Sequence, residues 1–530
     1  MDRRLDIRAS TLWVFLFFCL LYAGVTRGHF ISTDEVLAYE ATSSLWQEGV
    51  PAVRTTENYG IAGRDRYIYS VVSSGQSIAV LPLYALGRVV GSALGPRGSR
   101  LLAGPSIARD QLVWGGEVEL FFVDLWNAFV TAALCAVFFA FLLRLGVGPP
   151  ASLLTTLLLG TTSYVVGYSS TFYTQSIEAL GLLGSFYLLV LDRESPDARL
   201  RTAAGLLVAF TVQCRYPALI VAPGLLAYQG FTAHRRSDGR FAPFARDMAP
   251  LVLGVLLGLG LHAADQLWKF GTIYSQGGYE KARWDAPILT GLQGFLLSPG
   301  ASIFVYTPLL LLAPFALPAF FRRHRAEAWF VVGQAMVYLV AFSMFPNWHG
   351  LWCFGPRYMV PIVPLLMLPL GAWLEARGRR LWPVVTALAL AGLWVQAVHL
   401  LANFWSVFVQ GGYMDLIKSY EYAAGSTIPG DFLFEARYSP VLAQSRAVLA
   451  WDGRVDMWLV WFFRQVGIAW GLAVVVPWLL LLGWCGARMW RSVRGMGVEP
   501  ARPLSDEGMG EKDGPEGAAP PLTALTPAPP

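Results

Sequence analysis

Two adjacent carboxylates, Asp34 and Glu35, follow Ser32 and Thr33 a few residues beyond the first long apolar stretch of the chain. A carboxylate held at a membrane surface is partly desolvated, which raises its basicity toward the range a general base needs. The same four residues also form an ordinary helix start, with Ser32 or Thr33 as N-cap and Glu35 in the first turn. A third acid, Glu178 in YSSTFYTQSIEAL, lies just inside another apolar stretch. An ionisable group there is costly, and marks either a second functional acid or a structural bridge to Arg215.

Cations accompany these acids: Arg64 and Arg66 in GRDRYIYS, Arg215 in QCRYP, Lys269 in LWKFG and Arg357 in WHGLWCFGPRY. Each falls on the side of its apolar stretch opposite the main arginine clusters, against the bias that keeps basic residues cytoplasmic. They either snorkel to lipid headgroups or clamp a phosphate delivered from within the bilayer. His349 in NWHGLW and Tyr358 beside Arg357 are candidate contacts to a sugar or an acceptor. For His349 the alternative is an interfacial imidazole hydrogen-bonded among tryptophans. The adjacent pair Asp34 and Glu35 is a weak metal signal, so no divalent ion and no cofactor is assigned.

The elements that must position these groups are membrane helices. The 530 residues are 55% hydrophobic and only 14% charged, against about 25% charged in a soluble domain. Continuous apolar runs of bilayer-spanning length exclude a β-barrel, whose strands alternate. The net charge of +5 is no nucleic-acid patch: four residues are lysine, and the arginines fall in short clusters between apolar runs. Those clusters are Arg3, Arg4 and Arg8; Arg193, Arg199 and Arg201; Arg235, Arg236, Arg240 and Arg246; Arg322, Arg323 and Arg325; Arg377, Arg379 and Arg380; and Arg488, Arg491 and Arg494. All of them read as cytoplasmic.

The expected architecture is an all-α polytopic membrane protein of about twelve spans. Residues 1–10 are a cytoplasmic N-terminus, and 11–26 an uncleaved anchor. Further spans read at 117–145, 150–168, 174–191, 202–214, 216–231, 248–267, 300–320, 328–345, 358–375, 382–402 and 462–486. Arg215 and Pro217 split 202–231 into a hairpin. The first outer loop, 27–115, carries two amphipathic stretches, 34–48 and 73–95, suited to lying in the membrane interface. The last outer loop is 403–461, and SPGASIFVYTP (298–308) opens a span with a sharp re-entry. Residues 495–530 are too poor in large apolar side chains to fold and read as a disordered cytoplasmic tail. Cys19, Cys135, Cys214, Cys353 and Cys485 include no CxxC and support neither a disulfide framework nor a metal site. No P-loop, HExxH or GxSxG motif occurs.

An acidic pair just after the first span, a long first outer loop with interfacial helices and about a dozen spans resemble the GT-C glycosyltransferase superfamily. The branch it looks like is the one holding dolichyl-phosphate-mannose protein mannosyltransferases and the bacterial lipid A aminoarabinose transferase. FGTIYSQGGY (270–279), GLQGFLLSPGASIFVYTP (291–308) and GLWCFGPRYMVPIVPLL (350–366) are similar to segments of bacterial members. The resemblance covers roughly residues 10–400 of the sequence. It implies a polyprenyl-phosphate-linked sugar as donor, Asp34 as the catalytic acid of the first loop with Glu35 its neighbour, and Arg215 and Arg357 as phosphate anchors assisted by Arg64, Arg66 or Lys269. The family's second acid has Glu178 as its nearest candidate. A bacterial inner-membrane location with a periplasmic active face follows, and the competing class is a transporter or flippase for a lipid-linked or anionic substrate.

Overall fold

The computed structural model describes residues 3–54, 60–70, 73–102, 117–273, 284–350, 353–402, 407, 430–450 and 457–496. Within them the chain is almost wholly helical, apart from an antiparallel strand pair, Gly60–Ala62 with Ile68–Ser70. Among the described residues eight helices are long and apolar enough to cross a membrane: Asp6–Val25, Val118–Arg144, Gln175–Glu194, Phe241–Phe270, Arg325–Ser343, Arg357–Arg377, Trp382–Leu401 and Trp458–Gly495. The all-α, multi-pass class read from composition is the one observed.

Among the described residues the other four of the twelve expected spans are short or broken helices. Residues 150–168 divide into Pro149–Thr162 and Val165–Ser169, and 202–214 lie in the helix Ala198–Cys214. Residues 216–231 begin as a 3-10 turn, Tyr216–Val221, before Ala222–Ser237. The 300–320 stretch is three pieces, Ile303–Tyr306, Pro308–Leu312 and Ala313–Arg323. Pro217 and Pro308 bring no backbone N–H, so each ends a regular ladder where it stands. The tail from 497 onward, and most of the last outer loop (403–406 and 408–429), lie outside the described residues.

Ion pairs gather the helix ends on one side. Asp192, in the last turn of Gln175–Glu194, accepts from Arg201 at 2.7 Å and Arg236 at 2.8 Å; Arg201 also reaches Asp247 at 3.3 Å. Nearby Glu327 takes Arg193 and the Tyr228 hydroxyl. Arg201 opens one helix and Arg236 closes the next, so 198–237 is the hairpin that Arg215 and Pro217 suggest. Glu178 stands in the first turn of the helix that ends near Asp192. At 1.5 Å per residue the two carboxylates are about 21 Å apart along the axis, so Arg215 and Glu178 occupy the end opposite the arginine clusters.

Close backbone approach fixes this hairpin against Phe241–Phe270. A Cβ at Gly205 would meet the Pro250 carbonyl at 2.6 Å, the small-residue contact that lets membrane helices pack tightly.

The helix Thr33–Glu48 starts as its sequence indicates. Ser32 is extended, and its hydroxyl accepts from Glu35 N; Gly49 closes the helix at φ 75° with its N–H on the Leu45 carbonyl. The helix does not simply lie on the interface, as its amphipathic pattern suggests. Residues 35–42 are buried, beneath Gly75–Ala79 and Leu81–Leu102. Ser77 Oγ donates to the Ala38 carbonyl, and the Tyr39 ring sits 6.0 Å from that of Tyr84. The helix is therefore packed under these two helices, with the half-exposed Asp34 in its first turn.

Candidate active site

Asp34 meets Arg357 directly. Arg357 Nη1 donates to Asp34 Oδ2 at 2.9 Å; the aspartate side chain is 45% exposed and the arginine's 16%. The carboxylate therefore remains open to solvent on one side while its cation is largely enclosed. Arg357 opens the 3-10 turn Arg357–Ile362, directly after Gly355 and Pro356. Gly350 holds φ at 66°, and a Cβ there would lie 2.9 Å from Arg357 Cγ. Only glycine takes that conformation freely and leaves room for the arginine stem.

Aromatic rings fix the guanidinium from two sides. Arg357 Cζ lies 5.1 Å from the Tyr358 ring centroid and 5.6 Å from that of Tyr173, within the range of attraction between a cation and a π face. Its Nη2 donates to the Tyr358 hydroxyl at 3.2 Å. Tyr358 in turn stacks on Phe342, with centroids 4.6 Å apart and planes at 3°.

The same ring carries Arg215, whose Cζ lies 5.5 Å from its centroid. Arg215 is buried and pairs with Glu178 at 2.9 Å, and Glu178 accepts from the Tyr338 hydroxyl at 2.7 Å. Glu178 thus takes the bridge role, with both its oxygens engaged. No described contact joins it to Asp34. The link between the acids runs Asp34, Arg357, Tyr358, Arg215, Glu178.

Glu35, named with Asp34 as the catalytic pair of the first loop, faces inward. It is buried, with Oε2 accepting from Ile31 N at 3.0 Å and Oε1 from Phe172 N at 2.7 Å. Burial pushes its carboxyl up to about 6, against the lowering effect of the two backbone donors. Neighbouring helix residues leave the axis about 100° apart, so Asp34 and Glu35 point different ways. Among the described residues no group of three His, Cys, Asp or Glu stands close enough to hold a metal ion.

The remaining candidates divide. Lys269 is buried and donates to Ser74 Oγ at 2.6 Å and Asp265 at 2.8 Å, fastening the start of Gly75–Ala79 to the end of Phe241–Phe270. Arg64 and Arg66 are exposed on the turn between the two strands, with Arg66 over the Tyr67 ring at 5.4 Å. No described contact brings any of these three to Asp34. His349 is buried against Trp348 and Phe432, and lines a small pocket with Tyr306, Cys353 and Leu433. Burial, and then the Arg357 charge, lower it to about 4, so it is neutral near pH 7.

Two residues outside the sequence-based list brace the site. Asn127 Nδ2 donates to the carbonyls of both Thr171 and Tyr173 at 2.6 Å, and Gln76 Nε2 donates to Phe172 O at 2.7 Å. Together they hold the segment that puts Tyr173 under Arg357. The available signal was an asparagine within an apolar span, a costly choice unless it is bonded.

No protein-family model matches the chain, and no curated protein matches it. Two solved structures of ArnT from Cupriavidus metallidurans are similar to it. The apo state has 14% identity and a TM-score of 0.48, covering 84% of this chain and 77% of that one. The form bound to undecaprenyl phosphate has 14% identity and a TM-score of 0.48, covering 83% and 76%.

Proposed function

We propose that this chain is a membrane glycosyltransferase that moves a sugar from a polyprenyl-phosphate donor to an acceptor hydroxyl, with Asp34 as general base. The observation that carries the reading is the half-exposed Asp34 carboxylate 2.9 Å from an enclosed Arg357 guanidinium. A base and a fixed cation side by side suit a reaction that takes a proton at one atom and builds negative charge at another. The donor class is the one implied by the sequence resemblance. The position of the pair, at the end of the bundle opposite the arginine clusters, supports an extracytoplasmic active face.

In the step envisaged, Asp34 takes the proton of the acceptor hydroxyl as its oxygen bonds to the anomeric carbon. The bond from that carbon to the phosphate oxygen breaks, and its electron pair leaves with the polyprenyl phosphate. Single displacement inverts the anomeric centre. Arg357, with Arg215 beside the same Tyr358 ring, stabilises the growing phosphate charge. Because both guanidinium groups are already oriented, they act more on the transition state than on the ground state.

The test is incubation of the purified protein with a panel of polyprenyl-phosphate sugars and acceptors, scored by release of free polyprenyl phosphate. Release by the wild type and none by D34N supports the reading. Movement of intact donor across vesicles without release would instead identify a flippase and end it.

A further inference from the structure

Glu35 is the most enclosed carboxylate next to the proposed base, and the step above does not use it. Its two acceptors face donors from different parts of the chain: Ile31 N just before its own helix, and Phe172 N, 137 positions away. The second donor lies in the segment that Asn127 and Gln76 also grip, and the Phe172 ring stacks on Phe30 with centroids 5.6 Å apart. The next residue in that segment, Tyr173, is the ring beneath Arg357. One side chain therefore sits between the turn that presents Asp34 and the segment that supports its cation.

We infer that Glu35 is a positioning residue whose carboxylate ties the first turn of Thr33–Glu48 to residues 171–173 and so sets Asp34 against Arg357. The inference rests on the reading of Asp34 as the base for sugar transfer. The tie needs two acceptor oxygens. An ionised carboxylate supplies both at full strength, whereas protonation turns one of them into a hydroxyl, a weaker acceptor that must also place a proton. Arg27, beyond the first helix, and Asp124, at the end of Val118–Asp124, face this group, as does Tyr173; Asp34 is the charged neighbour on its own helix. Arg27 favours the ionised form and Asp124 opposes it, but burial outweighs both. The tie consequently loosens just below neutral pH.

E35Q keeps the volume and one acceptor but presents an N–H where the second acceptor was. Its kcat for polyprenyl phosphate release at pH 7.5 is expected to fall about 10- to 100-fold, the cost of a small misplacement of a reacting group, with donor KM within about twofold. The acid limb near pH 6 expected of the wild type, where Glu35 takes up its proton, should be absent from the profile of E35Q. Hydrogen exchange supplies a readout independent of transfer. Amides 31 and 172 should lose protection together in E35Q and keep it in D34N. If E35Q does not fold, wild-type exchange, corrected for intrinsic rates, should rise at both amides as pH falls through that value. Wild-type kcat and profile in E35Q, or unchanged protection at either amide, would overturn the tie while leaving the transferase reading intact. A wild type that releases no polyprenyl phosphate from any donor would remove that reading, and the exchange result would still judge the tie.

Discussion

Arg215 and Arg357 stand on the same ring: their Cζ atoms lie 5.5 Å and 5.1 Å from the centroid of Tyr358. Two like charges this near repel each other, and the attraction of both to the same electron-rich ring offsets part of the repulsion. Tyr358 is buried, and its ring lies beside both cations.

Replacement of that ring separates its roles. Y358F keeps the π face and loses only the hydroxyl that accepts from Arg357 at 3.2 Å, so turnover should stay within about threefold. Y358A removes a partly desolvated attraction of roughly 1 kcal/mol for each cation, and turnover should fall at least about tenfold. Equal activity in both variants, measured as polyprenyl phosphate release, would mean that the ring does not organise the cations.

D34N tests the base without disturbing the fold. Asp34 is 45% exposed, and its one described ion pair is with Arg357. An ion pair this open contributes about 1 kcal/mol or less, so the thermal midpoint in micelles should barely move. Loss of a general base lowers turnover by about 100- to 10,000-fold. A variant that keeps most of its activity would remove Asp34 from that role.

How much of this was legible in the sequence depends on how local each cause is. The start at Ser32, the break at Pro217 and the apolar class follow from neighbouring residues, and the structure carries all three. The direction of Glu35 depends on Phe172, a donor 137 positions away, and nothing within the STDE segment decides which carboxylate turns inward. Lys269 lay between these cases. Its partner Asp265 is four residues back on one helix, a spacing visible in the sequence, while an outer position next to an apolar run equally suits a lipid phosphate. Asn127 gave a plain signal, an amide in an apolar run, but not its target.

The Arg215–Glu178 pair predicts an asymmetry between single and double variants. Both side chains are buried, so removing one leaves an uncompensated charge in a low-dielectric setting. R215A should cost about 3–5 kcal/mol of stability, and R215A/E178Q should recover a large part of it because the orphaned carboxylate is gone. Turnover should stay low in both if Arg215 also serves the phosphate. Recovery of turnover along with stability would confine Arg215 to a structural role. The thermal midpoint and the release assay, read together, decide between these outcomes.

Two groups beside the site push stability in opposite directions with pH. Glu35 ionises near 6 in the fold against 4.5 ordinarily, so its contribution is fully present below 4.5 and is lost as pH rises through 6. Its full span is about 2 kcal/mol. His349, held near 4 against 6.5 by burial and the Arg357 charge, works the other way. The unfolded chain takes up a proton below 6.5 that the fold refuses, so stability falls as pH drops from 6.5 toward 4. Between pH 7 and pH 5 each term changes by roughly 1–2 kcal/mol and the two nearly cancel. Relative to wild type over that window, E35Q should lose thermal stability on acidification, because only the histidine term is left. H349Q should gain it, because only the Glu35 term is left. Unfolding midpoints of the three proteins at pH 7, 6 and 5 provide the check, and parallel lines for all three would mean that neither group titrates as its surroundings dictate.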